Sequence, residues 1–223
     1  MNMIEYPLPS EMLHDVAGAL GEALRHALAA QPSVSFAVPG GTTPGPLFDV
    51  LSAIDLDWSR VHVLLTDERW VPESDPQSNA ALIRERLITN KARHAAFTPY
   101  FAPDASITSA AASLSEQLSD LLPIDVLLLG MGADMHTASL FPNSVGLKEA
   151  LAPDAPMFLL VTVAGQKVQR FTLTGPVLRA ARSTHVLITG AGKRDALGVA
   201  QTLSEADAPI QTVLPNATIH WSA

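Results

Sequence analysis

What most restricts the fold of this chain is the regular exchange of two hydrophobic periods along it. Residues 10–30 place Leu13, Val16, Ala17, Leu20, Leu24 and Leu28 three or four apart, the spacing of one helix face. Short apolar runs then recur at 33–38 (SVSFAV), 60–65 (RVHVLL), 124–129 (IDVLLL), 157–163 (MFLLVTV) and 184–189 (THVLIT), with a last one at 217–221 (ATIHW). Helical spacing fills most of the intervals, near 46–53, 78–88, 108–121 and 192–203. A strand with one wet face alternates polar and apolar residues; these runs are apolar throughout, as strands covered on both sides are. Alternating strands and helices of this kind specify an α/β fold with a mostly parallel sheet and helices on both faces. At 223 residues one domain is expected over 1–223, and the loop-like stretches 102–109 and 152–156 are too short to be linkers.

Composition narrows the chemistry. The chain has no cysteine, which excludes disulfides, zinc-thiolate sites, iron–sulfur clusters and a thiol nucleophile. A net charge of −8 argues against an extended nucleic-acid surface. No apolar run approaches the roughly 18–20 residues of a membrane span. The N-terminal MNMIEYPLPSEMLHD lacks a basic segment followed by an apolar core, so a cytoplasmic protein is expected, a monomer or weak dimer for want of a long apolar stripe. The histidines are scattered without metal-ligand spacing, and no metal or cofactor is expected. His14 and His26 read as surface residues, and Phe36, Trp58, Phe101 and Trp221 as packing residues.

Parallel sheets bind ligands beyond the carboxyl ends of their strands, so the loops there carry the information. The first, Pro39-Gly40-Gly41-Thr42-Thr43-Pro44, has two glycines for close backbone approach, two hydroxyls and a helix to follow, which makes it a cradle for a phosphate. It lacks the Gly-Lys-Ser/Thr of a Walker loop, and the plain alternative is a strand-to-helix turn capped by threonine. The second, Thr66-Asp67-Glu68-Arg69-Trp70, places three charges directly after a strand. Arg69 is suited to a forked phosphate contact and Asp67 to accepting from hydroxyls, while Ser78 reads as the cap of the next helix. A solvated loop with self-paired charges is the alternative.

The third runs from Gly130 to Pro142. Its Gly-x-Gly start is too weak to signal a dinucleotide, since Met135 stands where a third glycine would be. The Asp134-x-His136 pair matters more, because a neutral imidazole takes and returns a proton near pH 7. A structural histidine is the alternative. The fourth group is Arg170 in RFTLT and Lys193 in TGAGKRDAL. A lysine at a helix start opposes the helix dipole unless an anion is bound there.

Taken in order, PGGTTPGPLFDVL, TDERWVPESDPQSN, IDVLLLGMGADMHTASLFPNS, RFTLTGPVLRAAR and TGAGKRDAL closely resemble the 6-phosphogluconolactonases, which share a superfamily with the glucosamine-6-phosphate deaminases. The matching stretches span residues 39–198. The resemblance implies a Rossmann-like α/β domain, no cofactor, and hydrolysis of 6-phospho-D-glucono-1,5-lactone to 6-phosphogluconate. It implies that His136 is the general base; Asp134 is then expected to orient it or hold a sugar hydroxyl, and Asp67 to contact the substrate. It further implies that Arg69, Arg170 and Lys193 bind the phosphate, for which the Gly40-Gly41-Thr42-Thr43 loop is the expected cradle. Met135 departs from the family's glycine before the histidine; a position needing φ > 0 would be strained there. The deaminases carry a glutamate five residues after the histidine, where this chain has Phe141, which transfers no proton. A deaminase or isomerase, and a non-catalytic sugar-phosphate binder, are the other two readings.

Overall fold

The computed structural model describes all of residues 1–223. Seven parallel strands form the main sheet: β1 (Asn2–Tyr6), β2 (Val34–Val38), β3 (Val61–Leu65), β5 (Ala96–Phe97), β6 (Val126–Gly130), β9 (Ser183–Thr189) and β10 (Ala217–Ser222), in the order β1-β10-β9-β6-β2-β3-β5. The remaining three, β4 (Asp67–Arg69), β7 (Phe158–Val161) and β8 (Arg170–Leu173), make a small antiparallel sheet in the order β4-β8-β7.

The helices are α1 (Pro9–Ala30), α2 (Gly45–Ser52), α3 (Asn79–Arg86), α4 (Ile107–Gln117), α5 (Leu147–Leu151), α6 (Gly175–Arg179) and α7 (Ala191–Ala200). From β2 the chain steps outward to β3 and β5, then returns to lay β6 on the other side of β2. Right-handed crossovers put helices that advance in opposite directions on opposite faces, so the sheet is covered on both. The reversal falls between β2 and β6, and the strand ends there diverge to leave a crevice.

The helix expected over 10–30 is α1. Its buried Met12, Val16, Leu20, Leu24 and Leu28 form the stripe against the sheet, and Pro9 starts it where no amide hydrogen is needed. β2 is buried along its whole length, as an uninterrupted apolar run requires. Ser78 caps α3, its hydroxyl accepting from Ala81 N at 3.2 Å. No helix is long and apolar enough to cross a membrane.

Three expectations need correction. The run 157–163 is β7 of the small antiparallel sheet and not a strand of the parallel one. Asp67–Arg69, read as loop, is β4, and RFTL is β8. The cause lies at Thr66, which bridges the sheets: its amide donates to Val38 O in the main sheet (2.9 Å) and its carbonyl accepts from Leu173 N in the small one (2.9 Å). The aromatic residues Tyr100, Phe158 and Phe171 pack edge-on and tilted beneath the small sheet and join both sheets in one core.

One buried polar chain crosses the other end of the main sheet. Tyr6 Oη meets His220 Nδ1 at 2.9 Å, His220 Nε2 meets His185 Nδ1 at 3.0 Å, and His185 Nε2 meets Ser183 Oγ at 3.2 Å. Burial, then the neighbouring His185, pull His220 down to about 4, and burial lowers His185. The unfolded chain therefore binds more protons than the folded one below the ordinary histidine range. Stability conferred by neutral His220 is present above pH ~6.5 and is lost as the pH falls toward 4, on the order of 3 kcal/mol in all. Urea melts between pH 7 and pH 4 should show this slope, and His220→Gln should flatten it; an equal slope in both proteins refutes the assignment.

Candidate active site

The crevice at the β2/β6 reversal is a cleft of about 250 Å³, open to solvent. Gly40, Gly41, Thr42, Thr43, Asp67, Arg69, His136, Arg170 and Lys193 all line it, although they come from five separate stretches of sequence. Asp134 is outside the lining and reaches it through His136.

The loop after β2 turns at Gly41, whose φ of +97° suits a residue without a side chain. Gly40 is required for a different reason: a Cβ there would sit 1.7 Å from Asn79 Oδ1. Asn79 was not singled out by the sequence as a site residue, yet it knits this end of the cleft together. Its Nδ2 donates to Asp67 O at 2.8 Å, and its Oδ1 accepts from Arg69 Nη1 at 2.8 Å. The signal was its position, first in a helix that directly follows the charged segment.

That helix is anchored by Glu68. The buried carboxylate accepts from the backbone amides of Arg69, Asn79 and Ala80, each at 2.8 Å. Burial pushes its pKa up, and those three amides oppose the shift. Of the three charges read after β3, Glu68 is therefore turned into the protein and capped, while Asp67 and Arg69 face the cleft. Asp67 is 6% exposed, with Oδ2 accepting from Ser139 Oγ at 2.6 Å.

Arg69 and Arg170 stand directly opposite each other on antiparallel β4 and β8. Like charges at facing positions repel. Burial first, and the nearby Arg69 second, pull Arg170 below the ordinary arginine range. Arg170 is held by Gln166, whose Oε1 accepts from its Nε at 3.0 Å and from its Nη2 at 2.5 Å. Arg69 has Gln77 O and Asn79 Oδ1 on Nη1, but its buried Nε has no partner. A buried, unpaired donor beside a second guanidinium has the chemistry to take an anion. Lys193, the third residue of α7, adds a third cation. The placement of Arg170 within a strand differs from the loop expected.

His136 lies on the loop after β6. Its Nδ1 is 2.5 Å from Asp134 Oδ1, which fixes Nδ1 as the protonated nitrogen and leaves Nε2 as the free lone pair. The side chain is 30% exposed, enough for water to reach it. Met135 takes φ +65°, so the strain foreseen at that position is present. Gly132 makes the turn possible, because a Cβ there would lie 2.2 Å from His136 Nδ1 and 2.4 Å from Asp134 Oδ1. No group of three histidine, aspartate or glutamate side chains is gathered to hold a metal.

The sequence model described as glucosamine-6-phosphate isomerases/6-phosphogluconolactonase matches residues 7–221. The chain belongs to this family. Among its members, 6-phosphogluconolactonase of Pseudomonas aeruginosa is 42% identical over 216 residues, covering 95% of this chain and 91% of that one. That of Rhizobium meliloti is 38% identical over 228 residues, covering 99% and 98%. The crystal structure of a 6-phosphogluconolactonase from Shewanella baltica superposes with a TM-score of 0.95 at 31% identity, over 100% of this chain and 98% of that one. The family fold, with its parallel sheet and helices, is thus the fold found here.

The anion site has a direct test. Inorganic phosphate at a hundred times its Kd should raise the unfolding free energy by about 2.7 kcal/mol. Arg69→Met should remove most of that gain in calorimetry at fixed ionic strength. An undiminished gain in the variant would place the anion elsewhere.

Proposed function

We propose that this protein hydrolyses 6-phospho-D-glucono-1,5-lactone to 6-phosphogluconate, the first carboxylate product of the oxidative pentose phosphate route. One observation carries the reading: the unpartnered Nε of Arg69, opposed by Arg170, shares a cleft with an imidazole whose tautomer is already set by a carboxylate. The first requires a dianionic group on the substrate, and the second supplies a base. The full-length likeness to 6-phosphogluconolactonases supports the same reading.

In the mechanism we infer, the phosphate docks on the Gly40–Thr43 loop at the start of α2, within reach of Arg69, Arg170 and Lys193. Phosphate binding at one end fixes the ester carbon at the other, and this converts a bimolecular attack into an oriented one. His136 Nε2 takes a proton from water as the oxygen attacks C1. The C1–ring oxygen bond then breaks, and the imidazolium returns its proton to that oxygen as the hydroxyl forms. Asp134 accepts the Nδ1–H throughout and offsets the charge on the ring. Asp67 has Oδ1 free of any bond shorter than 3.3 Å, so it can accept from a sugar hydroxyl. Backbone amides of the 130–136 loop are the nearest donors for the oxyanion.

Phe141 at the deaminase glutamate position leaves a ring-opening mechanism without its acid. A pH-stat assay decides among the readings. The protein should accelerate loss of the phosphorylated lactone above its spontaneous rate, and glucono-1,5-lactone without phosphate should gain far less. His136→Ala should reduce the enzymatic rate by about 10²–10⁴-fold with little change in thermal midpoint. Equal rates for the two proteins would remove His136 from the chemistry. A wild type that binds 6-phosphogluconate yet never beats buffer would make the protein a binder.

A further inference from the structure

Phe141 does more than fail to be a glutamate. Its ring lies 4.0 Å from the His136 ring, centroid to centroid, at an interplanar angle of 25°. The Arg170 guanidinium carbon is 5.3 Å from the same Phe141 centroid. Phe141 is itself anchored: it is 9% exposed, and its carbonyl accepts from Ser144 N at 3.1 Å and Ser144 Oγ at 2.8 Å. One fixed aromatic plate thus touches both the base and a phosphate-binding cation.

We propose that Phe141 is a positioning residue which locks the His136 ring plane, sets its spacing from Arg170, and stabilises the positive charge His136 acquires during the reaction. The inference rests on the lactonase reading. A single bond from Nδ1 to Asp134 leaves an imidazole free to tilt about that contact; a parallel ring packed on its face removes that freedom. Before reaction the imidazole is neutral and gains little from the negative π face of phenylalanine. When water yields its proton to Nε2, the ring becomes a cation lying on that face, and the attraction appears. An interaction that strengthens only as the barrier is climbed raises kcat and leaves substrate binding nearly unchanged. Attractions of this class amount to about 3- to 30-fold in rate. Arg170 keeps Gln166 and the other cations of the anion site, so KM depends little on the ring's electrons.

The test separates the ring's charge distribution from its volume. Phenylalanine at 141 is replaced by its mono-, di- and trifluorinated forms, which nearly preserve shape while draining the π face, and Phe141→Leu removes the face altogether. The wild-type rate above buffer is read first. The expected result is a stepwise fall in kcat with fluorine number, KM within about twofold, thermal midpoints unchanged along the fluorinated series, and a loss of about tenfold in Phe141→Leu. A flat kcat across the fluorinated forms overturns the inference, whether or not Phe141→Leu is impaired, because packing alone would then account for the residue. A wild type that does not exceed buffer overturns the lactonase reading, and this inference with it.

Discussion

Two guanidinium groups facing each other across an antiparallel strand pair are the arrangement on which the rest of the site depends. Arg69 and Arg170 are brought together by the β4–β8 register, and that register exists because the chain switches sheets at Thr66. Left alone, the pair costs energy: both groups lose water, and they repel. The protein offsets this with ligands for parts of each fork, Gln166 on Arg170, and Gln77 O with Asn79 on Arg69. It does not satisfy Arg69 Nε. A bound group of negative charge would relieve the residual unfavourable charge at this point.

The net charge of −8 gains its meaning from that arrangement. An acidic exterior does nothing to draw an anion from a distance, and at physiological salt exposed charges are screened beyond about 8 Å. On the proposed function, attraction is therefore short-ranged and comes from Arg69, Arg170 and Lys193, which line one cleft. Glu68, next to Arg69 in sequence, turns inward to cap α3, which leaves Asp67 as the carboxylate that lines the cleft with the arginines.

Much of this was legible in the chain. The three-and-four spacing of α1 and the apolar runs of β2, β3, β6 and β9 are local signals, and the alternation of such runs with helical stretches specifies a mostly parallel sheet. The strand-end loops followed, since a parallel sheet binds at its carboxyl edge. What the sequence did not disclose is pairing at long range. A four-residue run such as FLLV has the same appearance in a parallel or an antiparallel sheet, and β4 is three charged residues with no apolar period at all. Asn79 escaped notice as a site residue for a related reason: its partners, Gly40 and Arg69, come from other segments, and it looked like an ordinary helix start. Phe141 was read only for the proton transfer it lacks and not for its contacts with His136 and Arg170.

Met135 shows how a locally unfavourable residue can persist beside the chemistry. A left-handed backbone at a side-chain-bearing residue costs about 1–2 kcal/mol, and Ala138, two residues past His136, adds another at φ +48°. Both lie in the segment that carries His136, so the imidazole sits between two strained residues. Several bonds hold the segment in that shape: Gly132 N donates to His136 O at 3.0 Å, Met135 N to Gly132 O at 3.0 Å, and Ile210 N to Met135 O at 3.1 Å. The Met135 side chain also packs against the core, which a glycine there would not do. Contacts of that kind offset the backbone cost, and they tie the loop to the segment 209–212 instead of leaving it to glycine flexibility. In this chain the backbone turns left-handed at Met135, immediately before the imidazole, and on that path His136 Nδ1 meets Asp134.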